Sequence, residues 1–108
     1  MQLCPIRGEM MALLHRYMVA YDISDPVRLR RVEKIMTNHG SRVQLSVFIC
    51  DLTQQSRVRM KQQLSQCIFE REDSVMIIDF GYVDASRKWP IEYLGLAKSK
   101  ELTTYKIV

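Results

Sequence analysis

Glycine and proline are scarce in this 108-residue chain, at four and three residues. So few glycines exclude a glycine-rich loop of the kind that cradles nucleotide phosphates. Cysteine is almost as rare: Cys4, Cys50 and Cys67 are odd in number and widely spaced. No Cys-x-x-Cys or Cys/His cluster occurs, which argues against zinc. Free thiols in a reducing compartment fit this pattern, with Cys50 and Cys67 as small core residues. There are two histidines. His39 falls at a helix end and His15 in the N-terminal stretch, and both read as surface residues. No Ser/His/Asp or Cys/His constellation stands out for nucleophilic catalysis. Long apolar runs are missing too. Met10 to Leu14 is too short for a signal-peptide core or a membrane span, so a cytoplasmic protein without membrane contact is expected.

What is present bounds the class further. The length fits one domain, and 47% hydrophobic residues is ordinary for a globular chain. A core of this size is small, so pairing of two copies would help it. Sixteen basic residues against twelve acidic ones give a net charge of +4, which permits nucleic acid as a partner without requiring it. Pro5 and Gly8 argue against a regular element at the start. Residues 1–16 therefore read as an N-terminal extension, and residues 17–108 as one domain with a strand-like C-terminal tail.

The pattern predicts a strand over 17–23, with Tyr17, Val19, Tyr21 and Ile23 on one face and Met18, Ala20 and Asp22 on the other. Asp25 then caps a helix that has Pro26 at its first position. Leu29, Val32, Ile35 and Met36 form the apolar stripe of that helix. It ends near Gly40, whose expected part is the left-handed conformation of a helix terminus. Residues 42–50 read as a strand, with Val43, Leu45, Val47 and Ile49 under the helices and Phe48 either a contact surface or an anchor to the core. Thr53 is a plausible cap for a second helix, over about 54–69, burying Val58, Leu64, Cys67 and Ile68. Ser74 to Phe80 reads as a central strand buried on both faces. Residues 89–94 and 103–108 could each form a short strand, paired with their own sheet or with another subunit's edge. With one more strand, sought as a bend in 42–50 or in the tail, the chain is a ferredoxin-like α+β sandwich of βαββαβ order.

The chemistry concentrates at Tyr21-Asp22-Ile23-Ser24-Asp25-Pro26. Asp25 reads as a helix cap. Asp22 sits too early for that, and a carboxylate at a strand end wants a partner. A hard metal ion, or a phosphate met through one, would supply it. On the first helix, Arg28, Arg30, Arg31 and Lys34 surround a single acid, Glu33. A solvated helix face is the ordinary reading, and contact with phosphates the functional one.

These residues resemble the small CRISPR-associated protein two family, the partner of the CRISPR integrase. The matching pieces run in order over about residues 17–80: Met18 to Asp25, Arg28 to Val32, Gly40 to Phe48, Cys50 to Leu52, and Glu72 to Val75. The resemblance implies a homodimer with a ferredoxin-like fold, an antiparallel sheet with both helices on one face, and a C-terminal strand open to exchange between copies. It implies that Asp22 is the catalytic, metal-linked residue, with Mg2+ or another divalent cation as cofactor. Arg28, Arg30 and Arg42 match the family's backbone-contacting positions, and Arg31 extends the stripe. The implied activity is metal-dependent cleavage of single-stranded RNA or of DNA. The implied role is a scaffold for the integrase subunits in CRISPR spacer acquisition, an antiviral defence. Ile49 departs from the family's usual Glu or small residue, and residues before Tyr17 have no counterpart in its short members.

One carboxylate per chain is thin for phosphodiester cleavage, but two copies could share a cation across a two-fold axis. The competing readings are a non-catalytic scaffold that holds double-stranded DNA and a ribonuclease toxin of the related virulence-associated type.

Overall fold

The computed structural model describes residues 13–84, 86 and 88–95. Strand β1 runs over His15–Asp22, helix α1 over Pro26–Thr37, β2 over Ser41–Gln44, β3 over Val47–Leu52, helix α2 over Gln54–Cys67 and β4 over Ser74–Tyr82. The sheet order is β2-β3-β1-β4, and every paired neighbour is antiparallel. This is the expected ferredoxin-like arrangement.

Both helices start on side-chain caps. Asp25 accepts from the backbone N–H groups of Val27 (3.0 Å) and Arg28 (2.9 Å), with Pro26 at the first helical position. Thr53 accepts from the N–H of Ser56 at 3.1 Å. Val32 and Met36 of α1, and Met60 and Leu64 of α2, are buried against Tyr17, Val19, Tyr21, Phe48, Cys50 and Leu52 of the sheet. Phe48 is thus a core anchor, 1% exposed.

Several expectations are corrected. The stretch 42–50 is not one strand but a hairpin. Its turn is Leu45-Ser46, and Gln44 pairs with Val47. The missing strand was inside it. Phe48, Cys50 and Leu52 take the helix side, so Val43, Val47 and Ile49 pack on the helix-free side with Met18 and Phe80. Leu45, at the tip, is 76% exposed. In α2, Val58 is exposed and Met60 takes the buried position. Strand β4 is an edge of the sheet, not its centre, and no residue in it is fully buried. Gly40 does not adopt a left-handed conformation. It is needed because a Cβ there would collide with the Ile49 carbonyl and with the Cys50 sulfur. Strand β1 begins at His15, inside the stretch read as an extension.

The helix-free face is covered in part by residues 89–93, where Ile91 and Tyr93 pack against the Val43–Ile49 cluster. This segment is not a strand. The strand expected over 103–108 lies outside the described residues. Arg16 is completely buried on this face. It grips Asp51 through two bonds of 2.7 Å, Nε to Oδ1 and Nη2 to Oδ2, and its guanidinium lies 4.4 Å from the Trp89 ring centre. Cys50 is buried beneath the helices, and burial with the neighbouring Asp51 charge pushes its thiol up to about 12. No described helix is long and apolar enough to cross a membrane.

Candidate metal and nucleic-acid site

Asp22 is the last residue of β1, opposite Ser74 of β4, and its side chain is exposed. Alternation along β1 puts Tyr17, Val19 and Tyr21 under the helices, so Asp22 belongs to the helix-free face with Met18 and Ala20. Among the described residues no side-chain hydrogen bond or ion pair reaches its carboxylate. Nor is there, among them, a group of three or more His, Cys, Asp or Glu able to hold a metal. A single chain therefore offers one hard oxygen donor group here. Magnesium takes one or two protein carboxylates and keeps several waters, so the lone Asp22 carboxylate meets the lower end of what that ion takes from a protein.

The loop after Asp22 is tied down from below by Asp73, whose side chain is fully buried. The Asp73 carboxylate accepts from the Ser24 N–H (3.1 Å) and hydroxyl (3.3 Å), from the Phe69 N–H (2.8 Å), and from Arg28 Nε (2.7 Å) and Nη2 (3.2 Å). Arg28 also donates to Glu72 at 3.0 Å. The Arg28 hydrogen bonds, helped by the Phe69 and Ser24 N–H groups, outweigh burial and hold the Asp73 carboxyl well below the usual carboxylate range. The same contacts push Arg28 upward. The sequence pattern missed this network, because its links from Ser24 and Arg28 to Glu72 and Asp73 span 44 to 49 residues. Only the Glu72-Asp73 pair at the head of β4 signalled it.

The four candidate arginines therefore separate. Arg28 is committed to Asp73 and Glu72, and its guanidinium lies 5.6 Å from the Phe69 ring centre. Arg42 pairs with Glu33 at 3.3 Å and lies over Phe48, keeping 39% of its side chain exposed. Arg30 and Arg31 are exposed on α1. Arg31 and Lys34 line a cleft of about 440 Å³ between α1 and α2. Ser24 and Asp25 are occupied by the Asp73 network and the helix cap. His39 meets Gln63 at 2.9 Å. His15 is not a plain surface residue: its Nδ1 lies 3.0 Å from both Asp79 carboxylate oxygens.

The topology and the exposed strand-end aspartate define a ferredoxin-like protein with a one-carboxylate site. The family model described as CRISPR associated protein Cas2 matches residues 15–87, and the chain belongs to that family. It is 46% identical over 67 residues to the CRISPR-associated endoribonuclease Cas2 1 of Rhodospirillum rubrum, a match covering 62% of this chain and 66% of that protein. It is 36% identical over 75 residues to the CRISPR-associated endonuclease Cas2 of Halalkalibacterium halodurans, covering 69% and 75%. Among solved structures, Streptococcus pyogenes Cas2 superposes with a TM-score of 0.63 at 34% identity, covering 74% of this chain and 99% of that one.

Proposed function

We propose that this protein is a dimeric, metal-dependent endonuclease of CRISPR spacer acquisition that also serves as a scaffold for the integrase subunits. The observation that carries the reading is the exposed Asp22 carboxylate, fixed at a strand end with no protein partner among the described residues. A carboxylate held by a sheet yet open to solvent is pre-positioned for an external cation. The nuclease names of the relatives support the same reading. A second copy would dock on the part of the helix-free face beside Asp22, where Met76 is 52% exposed. The two Asp22 carboxylates would then flank one Mg2+ or similar ion. Bound there, the cation would supply a polarised water and charge stabilisation at a phosphate. The protein's own share is to hold Asp22 rigid through the Asp73–Arg28 anchor and to steady the strand's backbone with Arg30, Arg31 and Arg42. Arg28 acts as an anchor in this scheme.

Asp22→Ala tests it. Cleavage of single-stranded RNA and of duplex DNA should fall about a hundredfold or more, as it should when EDTA removes the cation. Undiminished cleavage by the variant would remove Asp22 from the chemistry. Sedimentation of the wild type as a strict monomer would remove the shared site. The competing reading is a non-catalytic scaffold. It predicts that spacer capture survives Asp22→Ala.

A further inference from the structure

At the opposite end of β1 from Asp22 a second cavity opens between the sheet and the start of α2. It holds about 560 Å³ and is lined by His15, Tyr17 and Tyr82 on the sheet side and by Gln54, Gln55 and Arg57 on the helix side, with Asp79 between. That volume suits a small ligand. Seven residues separate His15 from Asp22, about 23 Å along an extended strand, so the two sites are distinct.

The chemistry of the lining is selective. Among the described lining residues Asp79 is the only carboxylate, and it is engaged. His15 Nδ1 lies 3.0 Å from both its oxygens, and the Gly81 N–H donates to Oδ1 at 2.7 Å. Gly81 sits at φ 97°, beside an irregularity in the β1–β4 pairing, a conformation that favours glycine. Burial pulls the Asp79 carboxyl up, but Gly81, His15 and the Arg57 charge pull it down further, so it stays ionised. An ionised Asp79 makes His15 the Nδ1–H donor. Across from them Arg57 lies over the Tyr17 ring, 5.9 Å from its centre. The whole of α2 carries no acid, and its first turn faces the cavity with Gln54 and Gln55. Cationic and dipolar groups thus dominate one wall. The other wall is aromatic. Tyr82 is 57% exposed, and its ring meets His15 edge-on at 4.3 Å.

We infer that this cavity binds the phosphate-bearing end of a nucleotide or nucleic-acid strand, with Arg57, His15 and the first turn of α2 on the phosphate and the Tyr82 ring against the base. Arg57 supplies the fork that phosphate oxygens prefer, and an exposed aromatic ring accepts any base by stacking. The site needs no metal.

Calorimetric titration of the full chain in EDTA tests this, with adenosine 5′-monophosphate as probe and adenosine and inorganic phosphate as the two halves. The nucleotide should bind about tenfold or more tightly than either half. Arg57→Gln should weaken it by about tenfold, and Arg57→Lys by less, because the charge remains. Tyr82→Leu should cost about fivefold or more, while Tyr82→Phe keeps the affinity. Melting curves establish that each variant is folded. The inference is overturned if the wild type binds no nucleotide at millimolar concentration, or if Arg57→Gln and Tyr82→Leu bind like the wild type. It is also overturned if binding appears only when Mg2+ is supplied, which would return the ligand to Asp22.

Discussion

The two faces of the sheet are built from the same four strands and end up in different states. The helix side is closed: Tyr17, Val19, Tyr21, Phe48 and Cys50 meet four buried helix residues. The helix-free side is half closed. Residues 89–93 cover Val43 and Ile49, while Met76 and Asp22 stay open. Each side also carries an ion pair with a fully buried partner, Arg28–Asp73 towards the helices and Arg16–Asp51 on the other. The difference teaches that exposure on this sheet is local. On the helix-free side Met76 of β4 is left open two residues from Ser74, which pairs with Asp22, and that is where a second copy is proposed to seat.

Substitutions can break this contrast. The largest effect belongs to Phe48→Ala on the closed side. It should cost about 3–5 kcal/mol in chemical denaturation, because a large ring is removed from a filled core. Next comes Asp73→Asn, which removes the buried charge partner of Arg28 and leaves it the exposed Glu72, and should lower Tm by about 10 °C or more at pH 7. Its pH dependence is the sharper measurement. A carboxyl depressed in the folded protein stabilises above its unfolded value, near 4, and that support is lost as pH falls through the lower folded value. The wild type should therefore lose stability below about pH 4, and the variant's melting curve should be flatter there. The smallest effect belongs to Met76→Ala. In dilute protein it should change stability by less than about 0.5 kcal/mol. At high concentration it should weaken self-association, and equal sedimentation of the two proteins would separate this patch from any dimer contact.

Much of the fold was legible in local chemistry. The Asp25-Pro26 start, the α1 stripe and the alternation of β1 each answer to neighbours a few residues away. The hairpin was hidden because Leu45-Ser46 turns without glycine, asparagine or proline and without any positive φ among non-glycine residues, so the usual hairpin signature is absent. Strand β4 misled because a continuous apolar run does not say whether its second face is covered by the same chain. At the site, Asp22 stood out from its place at a strand end. Partnerships across register did not: Arg16 with Asp51, Arg28 with Asp73 and His15 with Asp79 are 35, 45 and 64 residues apart.

Trp89, the chain's single tryptophan, rests on the buried Arg16 guanidinium and beside Phe80, 6.1 Å between ring centres. Its indole is therefore a built-in optical gauge of the half-covered surface. Any event that lifts residues 89–93 from the sheet exposes that ring to water and shifts its emission to the red, with no label attached.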